Sequence, residues 1–192
     1  MDRIALVGLM GSGKTTTGER LARRMGWTYR DNDAELLARF GATAVQLKDR
    51  NGLDALRAAE AAVLLDLLSA DERSVITAAA STAESATCRR ALAERAFVVW
   101  LRTDPQTLAA RAGHDENRPW NTDVEAQLRE QAERRYPLLK QLADLTVDTT
   151  DLDGEHVADQ IAAAVSSHAV SSPAAERAGE GPRRARPAPR AG

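Results

Sequence analysis

The fold this sequence predicts is a three-layer α/β sandwich built on a five-stranded parallel sheet, and three observations predict it. Short runs of branched apolar residues alternate with segments of helical periodicity along most of the chain. The first such run leads straight into a glycine-rich loop that opens a helix. Hydrophobic residues make up 43% of the 192 residues and charged residues 28%, which suits one substantial core and leaves too little chain for two.

Residues 3–7, 73–77, 97–101 and 145–147 read as strands, and 27–30 as a weaker one. Helical spacing marks 14–25, 53–68, 83–94, 105–111, 124–142 and 155–166. Alternation of this kind places helices on both faces of the sheet and the ligand crevice at the carboxyl ends of its strands. The expected domain covers residues 1–165, with a mobile lid at about 112–122. From about residue 166 the composition turns to Ser, Ala, Pro, Gly and Arg, which predicts a disordered tail over 166–192; an arm for nucleic acid or a partner is the alternative.

A net charge of −2 gives no overall attraction to nucleic acid or an anionic membrane, so an anionic ligand must be held by local cations. The expected partner is a small-molecule substrate rather than nucleic acid or membrane, with the chain acting as a monomer. The lone Cys88 reads as a structural core residue and points to a reducing, cytoplasmic setting. The apolar stretch 4–10 is too short to cross a membrane and reads as a buried strand.

The loop Gly8-Leu9-Met10-Gly11-Ser12-Gly13-Lys14-Thr15 carries the Walker A spacing, and each position has a physical task. Glycines let backbone N–H groups converge on a polyphosphate. Lys14 reaches the terminal phosphates, the Thr15 hydroxyl serves magnesium, and the positive end of the following helix adds its dipole. ATP with Mg2+ is therefore the expected ligand pair. After the second strand stands Asp31-Asn32-Asp33. Here Asp31 would hold magnesium through water and Asp33 would take a proton from an attacking hydroxyl, unless Asp33 only caps the next helix.

These pieces, with Leu56-Arg57-Ala58-Ala59-Glu60, Arg118-Pro119 and Arg135-Tyr136-Pro137-Leu138-Leu139, resemble the shikimate kinase family of small P-loop kinases over about residues 3–165. The resemblance implies a P-loop NTPase fold of the nucleoside-monophosphate-kinase type and transfer of the γ-phosphoryl group of ATP to a hydroxyl of shikimate or a similar small acid. It implies nucleotide contacts from Gly8, Gly11, Ser12, Gly13, Lys14, Thr15 and Thr16. It also implies Arg111 near the adenine and Arg118 on the lid against the transferring phosphoryl group. Acceptor contacts would come from Asp33, Arg57, Arg135 and the turn at Ala79, with Lys14, Asp33 and Arg118 as the catalytic set and Thr15 with Asp31 as the metal set.

Three departures stand beside the match. Ala78-Ala79-Ala80 occupies the place of three family glycines, Leu56 that of a phenylalanine, and Trp120 that of a small aliphatic residue. Methyl groups in that turn either narrow the acceptor pocket or disfavour glycine-only dihedrals. A kinase for another small acceptor, or a nucleotide-binding regulator without turnover, therefore remains an alternative.

Overall fold

The computed structural model describes residues 2–112 and 123–171. In chain order the elements are β1 (Arg3–Val7), α1 (Lys14–Met25), β2 (Thr28–Asp31), α2 (Asn32–Phe40), α3 (Ala44–Asn51) and α4 (Leu53–Leu67). Next come β3 (Ser74–Thr77), a 3₁₀ turn (Ala80–Glu84), α5 (Ala86–Arg95), β4 (Phe97–Arg102) and α6 (Pro105–Ala112). The last are α7 (Val124–Leu142), β5 (Leu145–Asp148) and α8 (Gly154–Ser171). All strand pairings are parallel, in the order β2-β3-β1-β4-β5.

Side chains alternate across each strand, so β1 serves two cores at once. Ala5 and Val7 join Ile76, Val98 and Trp100 against α4, α5 and α7, while Ile4 and Leu6 join Val75, Val99 and Leu101 against α1 and α8. Ile4, Ala5 and Leu6 have no exposed surface. At roughly 1.5–3 kcal/mol for each large apolar side chain taken from water, this double burial fixes the strand that launches the glycine loop. Cys88 is buried in the first of these cores as a free thiol.

The structure adds two helices that periodicity missed, α2 and α3. Asp31, not Asp33, caps α2: its Oδ1 accepts from the N–H groups of Asp33 and Ala34 at 2.9 and 3.1 Å. Thr43 and Gln46 form a capping box on α3. The helix expected over 83–94 is split, because the Ser85 hydroxyl accepts from the Cys88 N–H and starts α5 afresh after the 3₁₀ turn. Where composition predicted a tail from residue 166, α8 continues to Ser171, its alanine-rich run being a good helix former. The rest of that expected tail, the expected lid after Ala112, and with it Arg118 and Trp120, lie outside the described residues.

Candidate active site

β1 ends at the loop, whose Gly8, Gly11 and Gly13 have φ of 151°, 82° and 87°. At Gly8 a side chain is also excluded by space, since a Cβ would stand 2.6 Å from the Leu101 carbonyl oxygen. Gly13 is the N-cap of α1, and no side chain caps that helix, so its first N–H groups face the cleft as helix geometry leaves them. Among the loop amides, that of Ser12 is turned onto the Leu9 carbonyl at 3.2 Å.

Lys14 Nζ donates to the carbonyl oxygens of Gly8 and Leu9 at 3.0 and 2.9 Å. Two of its three ammonium hydrogens are thus committed and one is left for an incoming anion. Burial lowers its pKa to about 8, against the opposing pull of Asp33 and Asp31 and with help from Arg135.

The two aspartates are driven apart. Asp31 Oδ2 accepts from Tyr29 Oη at 2.9 Å and Thr77 Oγ1 at 2.6 Å, while Oδ1 takes the two capping amides. Desolvation pushes its carboxyl up, but these donors outweigh it and hold the group below the usual carboxylate range. With its four lone-pair sites occupied, Asp31 contributes negative charge beside Thr15 and leaves no free oxygen for direct coordination. Asp33 receives none of those bonds. Crowding by the cleft walls, reinforced by Asp31 and opposed by Lys14, raises its pKa even though the side chain looks into open solvent.

Across a cleft of about 1260 Å³ stand Arg57 from α4 and Arg135 from α7, with Ala78, Ala79, Ala80 and Ser81 between them. Arg135 is only 6% exposed. Its Nε donates to Glu84 Oε1 at 2.6 Å and its Nη1 to Gln131 Oε1 at 2.5 Å. Arg57 Nη2 lies 3.7 Å from Glu84 Oε2, and its buried Nε makes no hydrogen bond. Glu60 is buried, which raises its pKa, and it accepts from Ser81 Oγ.

At the other end of the cleft Arg111 donates to the carbonyl oxygens of Thr149 and Thr150 at 2.9 and 3.0 Å, tying α6 to the loop after β5. The alanine turn strains nothing, because among the described residues no non-glycine residue has a positive φ, and Ala79 sits at φ −61°, ψ 138°. Of the two expectations for those methyl groups, the dihedral conflict is absent and the added wall remains.

Loop, aspartates, arginine pair and alanine turn thus share one cleft, though they come from five separate stretches of chain. The sequence profile of shikimate kinase matches residues 10–166. The chain belongs to the shikimate kinase family. A shikimate kinase from Chromobacterium violaceum is 40% identical over 157 residues, covering 78% of this chain and 84% of that protein. One from Alteromonas mediterranea is 39% identical over 160 residues, with 82% and 93% covered. Among solved structures, shikimate kinase from Acinetobacter baumannii in complex with shikimate superposes with a TM-score of 0.83 at 31% identity, covering 88% of this chain and 94% of that one. A gluconokinase from Sinorhizobium meliloti, at 19% identity and a TM-score of 0.62, shares the fold.

Shikimate kinases are ATP-dependent phosphotransferases acting on a small molecule, and the present cleft is built to match, with a phosphate loop and an arginine pair lining the same cavity. No described helix is long and apolar enough to cross a membrane. Reading the sequence alone missed Tyr29, Thr77, Gln131 and Glu84 as members of this site. Tyr29 stood in a predicted strand two residues before Asp31, a spacing that puts both on one face of the sheet and offered a signal. Glu84 had none, since 51 residues separate it from Arg135.

Proposed function

We propose that this protein transfers the γ-phosphoryl group of ATP to a hydroxyl of shikimate, with magnesium, in the cytoplasm. The observation that carries the proposal is the convergence of Lys14, Asp33, Arg57 and Arg135 on a single cleft at the carboxyl ends of the strands. Phosphoryl transfer asks a protein for alignment and charge compensation more than for covalent chemistry.

The amides of Gly11 and Gly13, the first turn of α1 and Lys14 hold the phosphates, with Ser12 and Thr16 framing the loop and Arg111 at the nucleotide end. Magnesium would be held by the Thr15 hydroxyl and, through intervening water, by the charge of Asp31; it supplies neutralisation of phosphate charge. The donor set fits such a role, since magnesium beside phosphates keeps several waters and asks the protein for few oxygens, here the Thr15 hydroxyl with the Asp31 carboxylate nearby.

Asp33, whose raised pKa makes it the more basic of the two carboxylates, receives the hydroxyl proton as the acceptor oxygen attacks. Arg57 and Arg135 pair with the acceptor's carboxylate in the forked geometry that guanidinium groups favour. Ala79 presents its methyl group to the acceptor ring. Arg118 is assigned to the transferring phosphoryl group on family resemblance alone.

The test is ADP release coupled to NADH oxidation, with and without shikimate. Wild-type protein should show strong shikimate-dependent turnover. Asp33→Asn should lose at least about 100-fold in kcat, the scale of one general base, while keeping its affinity for ATP. Equal turnover by the variant removes Asp33 from the chemistry, and no shikimate dependence in the wild type refutes the proposal.

A further inference from the structure

Two arginines aimed at one anion would carry two positive charges, a match for phosphate as good as for carboxylate. Here the pair does not stand alone. Glu84, the last residue of the 3₁₀ turn, bridges it from behind: Oε1 takes Arg135 Nε at 2.6 Å, and Oε2 faces Arg57 Nη2 at 3.7 Å. Its side chain is 27% exposed and does not line the cleft. Taken by themselves, the three ion-paired side chains carry a net charge of one, where the arginines without Glu84 would carry two.

Other charges nearby have their own partners. Arg134 pairs with Glu130 at 3.2 Å; Glu60, which also lines the cleft, takes its hydrogen bond from Ser81 and feels the charges of Arg135, Arg57 and Asp33 without a direct ion pair to either arginine among the described residues. Partial burial works against ionisation of Glu84, yet Arg135 by hydrogen bond and charge, then Arg57 and Arg134, hold it below the usual carboxylate range. It is an anion at any pH where the enzyme would work. The contact also links the start of α4 to the middle of α7 through the turn that follows β3, so one carboxylate bears on both arginines while Gln131 helps to hold Arg135.

We propose that Glu84 is a specificity-determining positioning residue: by leaving the Arg57 and Arg135 pair with a single net charge, it matches the acceptor subsite to a monoanionic carboxylate and against dianions such as phosphate. The inference rests on the proposed shikimate kinase activity and adds the charge rule of its acceptor end. Glutamine is the informative replacement, because Glu84→Gln still offers Arg135 an acceptor oxygen while removing the charge. Glu84→Asp keeps the charge on a shorter arm.

The experiment measures the KM for shikimate and the inhibition constant of inorganic phosphate competing with shikimate, at saturating ATP so that the phosphate loop is occupied. In the wild type, phosphate should bind at least about 100-fold more weakly than shikimate. In Glu84→Gln that ratio should shrink at least about tenfold, mainly through tighter phosphate binding, and Glu84→Asp should stay near the wild-type ratio. The KM for ATP, set at the other end of the cleft, is the control for general damage. A wild-type enzyme that binds phosphate as well as shikimate overturns the proposal without any variant, and so does an unchanged ratio in Glu84→Gln. Should wild-type protein fail to turn over shikimate at all, both this inference and the activity beneath it fall, an outcome distinct from turnover with the wrong ratio.

Discussion

Adding one methyl group at Gly18 tests how the helix behind the phosphate loop supports the site. Gly18 is buried on α1, and a Cβ there would stand 2.6 Å from Tyr29 Cε2 and 3.0 Å from Thr77 Cγ2. Those are the two side chains whose hydroxyls hold Asp31 Oδ2. In an open helix Gly→Ala would gain about 1 kcal/mol. Against this, overpacking a filled site costs roughly 1–3 kcal/mol, and displacing even one hydroxyl from a buried carboxylate costs about 1.5–3 kcal/mol. The balance for Gly18→Ala is a loss of about 1.5–5 kcal/mol, or a Tm roughly 3–20 °C lower for a domain of this size. Thermal melting followed by far-ultraviolet circular dichroism reads it directly. Trimming the ring first, in Tyr29→Ala, should make the added methyl group neutral or favourable, so the two substitutions should couple strongly. A Tm that rises by a few degrees in Gly18→Ala alone would refute the claimed packing against Tyr29 and Thr77.

Two further outcomes follow from the loop. Because Lys14 titrates at about 8 with the cleft free, it is about half charged at pH 8, and an incoming polyphosphate should raise its pKa. Calorimetry of ATP binding at pH 8 in buffers of different ionisation enthalpy should show uptake of about half a proton, falling away toward pH 6.5; no uptake at pH 8 contradicts the lowered pKa. Gly8→Ala must accommodate a Cβ 2.6 Å from the Leu101 carbonyl at a φ of 151°, so it should lose at least about 2 kcal/mol of stability together with nucleotide binding, measured by urea unfolding and titration.

How much of this was legible in advance depended on how local the cause was. β1, the glycine loop and α1 are encoded by neighbouring residues, and the expected bounds 3–7 and 14–25 match the structure at both ends. α7 matches too, despite Pro137 within it, because its apolar spacing runs over nineteen residues. α2 and α3 were invisible to periodicity: they are nine and eight residues long, bounded by Gly41 and Gly52, and hold few buried side chains. Their start signals were in the sequence as Asp31 and Thr43, and the alternative that placed the cap at Asp33 was two positions off. The site divided in the same way. Walker A spacing located the phosphate end, whereas the Asp31 cradle and the Glu84 bridge join residues 46 and 51 positions apart, pairings that only folding creates. The alanine turn shows the limit of reasoning from steric rules alone, since its backbone follows a path on which three methyl groups cost no dihedral strain.

The central claim is that the phosphate loop and the arginine pair bring two substrates into one transfer reaction. Phosphorus NMR of the protein with ATP, magnesium and shikimate measures this most directly. The expected result is a growing phosphomonoester resonance that matches the loss of the γ-phosphate signal, with ADP as the other product. Loss of the γ-phosphate to inorganic phosphate alone, or no loss over hours, would contradict it.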